Sequence, residues 1–175
     1  MKRLIKASDL EGLTVEITPY SNEDDKYGHF ESYGINATLD GQRVGFLNLF
    51  VYQDYVGGEI SRQFEGQKVE KMLYFDDFEV DSNQRGKGIA NEILKKLGEL
   101  YREKFSGWPM FNMYINPVAE YAVINAIAQG WLPEEAFIEE YQLRGSAYFG
   151  AEDQIIDLRN KLPEEYQHLF VPKRD

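Results

Sequence analysis

A strand-like run at residues 72–80 is tied to a helix-like run starting at Ile89 by a short loop with glycines at 86 and 88. Few arrangements satisfy such a junction, because a strand must end, the chain must turn tightly and a helix must start at once. Glycine accepts the positive backbone angles of a tight turn and has no side chain to hold a ligand away from the main chain. The first amides of the following helix have no partners within it, and the helix dipole adds positive potential there. The residues alone therefore predict a site for anionic phosphate.

Upstream, residues 12–18 and 33–39 alternate apolar and polar side chains, as half-buried strands do. Asp40-Gly41 supplies hairpin-turn chemistry, and residues 43–52 follow as a third strand with few polar interruptions, suited to the inside of a sheet. Residues 53–71 are polar, carry Gly57, Gly58 and Gly66, and read as a loop or long hairpin end. Downstream of the glycines, Ile89, Ile93, Leu94, Leu97, Leu100, Tyr101 and Phe105 share one helix face, with Glu92, Lys95, Lys96, Glu99 and Arg102 opposite. Residues 111–115 read as a fifth strand. Asn116-Pro117 then caps and opens a second helix to about Gln129, which Gly130 ends.

Composition removes several functions. With 175 residues and 43% apolar content, the chain can bury the core of one compact domain. It has no cysteine, which excludes disulfides, thiolate metal sites and cysteine nucleophiles. Thirty acidic residues against 19 basic ones give a net charge of -11, which argues against nucleic acid as a partner and suits a basic one. A solvated acidic surface explains the same imbalance. The N-terminus is basic but lacks the apolar stretch of a signal peptide, and no later run is long enough for a membrane span, so a cytoplasmic location is expected.

Competing motifs fail on spacing. Gly86-Lys87-Gly88-Ile89 has neither the four-residue gap nor the Gly-Lys-Ser or Gly-Lys-Thr ending of a P-loop. A dinucleotide fingerprint needs a third glycine or alanine at position 91, which is Asn91. His29 and His168 are isolated, and the doublets Glu134-Glu135 and Glu164-Glu165 read as solvated faces, so neither a Ser-His-Asp arrangement nor a metal site is expected.

Together with the order strand, loop, helix, strand, helix, the residues Arg85, Gly88 and Ala90 resemble the pyrophosphate loop of the GCN5-related N-acetyltransferases, or GNAT family. That pattern is arginine or glutamine, two residues, glycine, one residue, then glycine or alanine. Val80 stands where the family has a hydrophobic residue closing its fourth strand, and Gly130-Trp131 where it often has glycine-phenylalanine. The resemblance covers roughly residues 12–132. It implies an α/β (α+β) fold with a mixed, mostly antiparallel central sheet flanked by helices. It also implies direct transfer of an acetyl group from acetyl-CoA to an amine acceptor, a protein or peptide or a small-molecule amine. The acetyl-CoA-binding core would occupy residues 1–132, with 133–175 as a C-terminal extension packed on the same globule.

By the same resemblance, the backbone of Phe78, Glu79 and Val80 would hold the pantetheine arm, and the amides of Arg85, Gly86, Lys87, Gly88, Ile89 and Ala90 would cradle the pyrophosphate. The Lys87 side chain either adds charge near the phosphates or points into solvent. Asp77, Asp76 and Glu79 are the candidates for the base, in that order, since an attacking amine must lose a proton. Each is equally readable as a solvent-facing strand carboxylate. Alternation places Asp77 and Glu79 on one face of the strand, and Asp76 on the other with Phe78 and Val80.

The chain departs from the family in three places. The positions where the family often has a tyrosine and an asparagine are Ala126 and Ala119. Asn116 repeats the asparagine spacing one turn earlier and either contacts the coenzyme or caps the helix. Tyr121 either projects toward the cleft as the general acid or packs in the core, with Tyr141 and Tyr148 as weaker candidates. Second, residues 19–31 between the first two strands read as a polar loop too short for the family's two helices, which favours an exposed amine such as a protein lysine or N-terminus. Third, residues 132–137 and 141–144 can form the family's closing hairpin, while 152–162 looks helical. This extension can cover the sheet edge, form a homodimer contact or recognise the acceptor. Two other readings remain: a catalytically silent coenzyme-binding module, and an acidic interaction protein that uses the fold as a scaffold.

Overall fold

The computed structural model describes residues 10–25, 28–54, 71–112, 117–136 and 152–169. Strands β1 (Leu13–Asp25), β2 (Gly28–Leu39), β3 (Gln42–Tyr52) and β4 (Met72–Val80) pair antiparallel in chain order, and β5 (Met110–Asn112) adds parallel to β4. Helices α1 (Ile89–Lys104), α2 (Pro117–Ala128) and α3 (Glu152–Asn160) complete the regular elements. The result is the expected mixed, mostly antiparallel sheet with helices. At the β2–β3 turn both Asp40 (φ 51°) and Gly41 (φ 81°) adopt the left-handed region that a tight hairpin requires.

The first hairpin is longer than alternation predicts. Residues 19–31, expected as a polar loop, instead extend β1 and β2 with only residues 26–27 between them outside the described set. Polar cross-strand pairs replace the missing apolar signal. The hydroxyls of Ser21 and Ser32 lie 2.6 Å apart, His29 Nδ1 lies 2.7 Å from Asp24 Oδ1, and the Tyr52 hydroxyl donates to Asp25 at 2.9 Å. Only residues 26–27 lie between the two strands, so no helix separates them.

Near the other end, residues 132–136 do not form the strand that the closing hairpin would need. Glu134–Ala136 forms a 3₁₀ turn, closed by Ala136 N–H donating to the Pro133 carbonyl at 3.2 Å. Proline has no N–H for a strand ladder but its fixed φ suits a turn. The expected strand at 141–144 and most of the polar stretch at 53–71 lie outside the described residues.

The core lies between one sheet face and the helices. Ile35, Leu47, Leu49, Leu73 and Phe75 of the sheet share it with Ile89, Ile93 and Leu97 of α1. Helix α2 carries apolar side chains on most of its surface and touches both α1 and α3. Leu132, Ala136 and Leu162, which follow α2 in the chain, join the same cluster. Among the described residues no helix is long and apolar enough to cross a membrane.

Helix α1 passes the end of α2 at very close range. A Cβ added at Gly98 would collide with the Trp131 carbonyl oxygen, and Arg102 pins the same segment by donating to the carbonyls of Trp131 (3.1 Å) and Gly130 (2.7 Å). Intrinsic propensity favours alanine over glycine in a helix by about 1 kcal/mol. Overpacking against backbone costs about 1–3 kcal/mol and here exceeds that gain. Gly98→Ala is therefore expected to lower Tm by roughly 3–6 °C in a calorimetric melt, from the usual scaling for a chain of this size. An unchanged or raised Tm would contradict the close approach.

Candidate active site

The strand-to-helix junction has the geometry its glycines predict. After Val80, Asp81 N–H bonds back to the Val44 carbonyl at 2.8 Å, a 3₁₀ turn spans Ser82–Gln84, and Gly86 (φ 80°) and Gly88 (φ 86°) both take left-handed angles. Gly88 is the N-cap of α1 and offers no side-chain acceptor to the helix's first amides. Its carbonyl takes the Glu92 N–H at 3.2 Å, which leaves the amides before Glu92 ahead of the first intrahelical bond. A Cβ at Gly86 would meet nothing within 4 Å, so the loop is open on that side.

Two cations flank the loop. Arg85 is exposed and its Nε donates to the Val80 carbonyl at 3.0 Å, while half-buried Lys87 donates to Gln84 Oε1 at 2.6 Å. Both acceptors are neutral, and among the described residues neither cation forms an ion pair. Their charge therefore remains available to an anion at the helix end. Ile89 is buried in the core and Ala90 packs against it, which anchors the first turn of the helix.

Strand β4 is interrupted just before this junction. Asp76 pairs with Asn48 and Glu79 with Phe46, so Asp77 and Phe78 together oppose Leu47, and Asp77 has φ 48°. This is a β-bulge, and it resets the side-chain alternation. Phe78 and Val80 consequently join the core with Leu73 and Phe75, while Asp77 and Glu79 are exposed. Strict alternation across the strand does not hold: the core side carries Leu73 and Phe75 before the bulge and Phe78 and Val80 after it. The Asp76 side chain lies outside the described residues.

A family model described as the acetyltransferase (GNAT) family matches residues 5–109, a stretch that contains β1 to β4, the glycine loop and all of α1. The chain belongs to the GNAT family. No curated protein and no solved structure matches it.

In this GNAT chain Asp77 opens onto a cleft of about 420 Å³ on the sheet face away from α1, lined also by Tyr20, Ser32, Arg43, Phe46, Asn48 and Phe50. Asn48 Nδ2 stands 3.4 Å from Asp77 Oδ2. Arg43 and Tyr20 reach this face through two more bulges. In β3, Ala37 pairs with Gly45 but Thr38 with Arg43, so the extra residue Val44 turns into the core and Arg43 falls on the face of Phe46. In β1, Pro19 pairs with Tyr33 and Ser21 with Ser32, leaving Tyr20 as the extra residue. The Tyr20 ring covers Gly34, and its hydroxyl hydrogen-bonds the Asn36 side chain at 2.8 Å.

Tyr121 sits half-buried on α2 against the core, and burial raises its phenol pKa above the ordinary value, so it keeps its proton at neutral pH. Asn116, Tyr141 and Tyr148 lie outside the described residues. His29 pairs with Asp24 across the first hairpin, and His168 is exposed in the last 3₁₀ turn. Among the described residues no group of three or more His, Asp or Glu side chains could hold a metal ion.

Of the residues named from sequence, Asp77, Glu79, Phe78, Val80 and the 85–90 loop fall on one continuous strand–loop–helix unit. Tyr20, Arg43, Phe46, Asn48 and Phe50 were not foreseen. Nothing in strand periodicity singles them out, since two of the five depend on bulges for their orientation.

Proposed function

We propose that this GNAT member is an acetyl-CoA-dependent N-acetyltransferase of the cytoplasm that moves the acetyl group directly onto an amine. The observation that carries the reading is the joint placement of an uncapped helix N-terminus and a carboxylate-bearing bulge on one strand–loop–helix unit. In this reading the amides of residues 86–90 hold the diphosphate, with Arg85 and Lys87 adding charge, and Phe78, Glu79 and Val80 align the pantetheine along β4.

Acetyl-CoA supplies an activated thioester. The bulge offsets the β4 ladder at Asp77 and Phe78, and in this reading a backbone N–H there stabilises the oxyanion that develops on the carbonyl. The amine must attack as the neutral base, and at a lysine-like pKa of about 10.4 only about one molecule in a thousand is neutral near pH 7. The Asp77 carboxylate takes the proton, with Asp76 and Glu79 next in order. The C–N bond forms, the C–S bond breaks, and the thiolate leaves. A free thiol has a pKa of about 8.5, so the thiolate needs only weak acid assistance and can leave without a dedicated acid; Tyr121, packed against the core, is the candidate if one is used.

Calorimetry with acetyl-CoA followed by thiol-release assays on amine panels tests the proposal. Micromolar binding and amine-dependent thiol release are expected. Binding without release by any amine would instead identify a silent coenzyme-binding module, and absence of heat an acidic scaffold.

A further inference from the structure

Among the described residues three register irregularities interrupt the sheet, and all three serve one cleft. Tyr20 is the extra residue in β1, the insertion of Val44 in β3 turns Arg43 to the open face, and Asp77 stands in the bulge of β4. Strict alternation would put Val44 on that face in place of Arg43. Bulges re-aim side chains at the expense of ladder hydrogen bonds, so three of them converging on one concavity make a recognition surface.

The cleft carries charges of both signs. Asp77 is exposed beside Asn48, and the Arg43 guanidinium lies 4.6 Å over the Phe46 ring. Among the described residues neither forms an ion pair. An arginine resting on an aromatic face keeps its fork of N–H donors free for a planar carboxylate. Glu79 lies opposite Phe46 but does not line the cleft. A site built only for a cationic amine would gain nothing from a guanidinium, since like charges repel.

We infer that the acceptor is a small zwitterion, an α-amino acid or a compound of similar size bearing a free amine and a carboxylate. Arg43 binds the carboxylate through paired N–H donors, Asp77 receives the amine, and Phe46, Phe50 and Tyr20 pack the apolar side chain. The cleft's volume of about 420 Å³ falls in the range of small-molecule sites. The inference rests on the acetyltransferase reading for the step itself: the α-ammonium first loses one proton to solvent, the neutral α-nitrogen bonds the acetyl carbon as the C–S bond breaks, its second proton passes to the Asp77 carboxylate, and the coenzyme leaves as thiolate.

Leucine and leucinamide share the side chain and the α-amine and differ in the carboxylate, so they isolate the role of Arg43. For Arg43→Gln the ratio of kcat/KM for leucine to that for leucinamide is expected to fall about 10- to 100-fold relative to the original chain, the usual worth of a charge-assisted hydrogen bond. Differences in intrinsic amine reactivity cancel in this double comparison. Arg43→Lys, which keeps the charge and loses the fork, should fall between. Calorimetric binding of the two compounds without acetyl-CoA gives the same comparison independently of turnover. A chain that failed to bind acetyl-CoA would overturn the acetyltransferase reading while leaving this readout intact. Equal losses for both compounds, or acetylation confined to lysine-bearing peptides and indifferent to Arg43→Gln, would overturn the zwitterion assignment alone.

Discussion

Asp77→Asn is expected to lower kcat for amine acetylation by about 10²–10⁴-fold, the usual contribution of a positioned general base, and to leave acetyl-CoA affinity unchanged. The substitution is a clean probe because of the backbone. Asp77 has φ 48°, and asparagine tolerates that left-handed angle as aspartate does, so the bulge survives while the charge is lost. Alanine at the same position would add backbone strain of about 1–2 kcal/mol and confuse chemistry with geometry. The measurement is steady-state thiol release alongside calorimetry with the coenzyme. Full turnover in Asp77→Asn would remove Asp77 as the base and pass the role to Asp76 or Glu79.

Gly88→Glu is expected to weaken acetyl-CoA binding at least about 100-fold, equivalent to roughly 2.7 kcal/mol. Gly88 is the N-cap of α1 at φ 86°, so a glutamate there puts a carboxylate and a strained Cβ where the diphosphate should sit. The helix itself should persist, because an acidic group at its N-terminus offsets part of that strain by about 0.3–1 kcal/mol. Circular dichroism checks that point. Gly86→Ala is the milder control: its φ of 80° is strained for alanine, but a Cβ there meets nothing within 4 Å. Native affinity in Gly88→Glu would place the coenzyme elsewhere and remove the basis of the proposed function.

The elements of this chain were legible where local signals are strong. Strand β4 at 72–80, helix α1 from Ile89 and the termination of α2 before Gly130 follow from alternation, amphipathic spacing and glycine conformations. The polar ends of β1 and β2 were not legible, because Asn22, Glu23 and Asp24 carry no burial pattern and are held by cross-strand partners. The turn at Glu134–Ala136 is open to reading as strand because the apolar residues Leu132 and Ala136 are buried there without any ladder.

The glycine junction is determined by sequence alone, since left-handed turns and helix starts are short-range events governed by residues that touch in the chain. The cleft beside Asp77 is decided only by the tertiary structure. Period-two reading cannot detect an inserted residue; only the partner strand fixes which residues are opposed, and the insertions at Tyr20, Val44 and Asp77–Phe78 each reverse the face that follows. Arg43 and Asp77 are neither close in sequence nor paired in register, and it is the pairing of β3 with both β2 and β4 that carries them to one concavity.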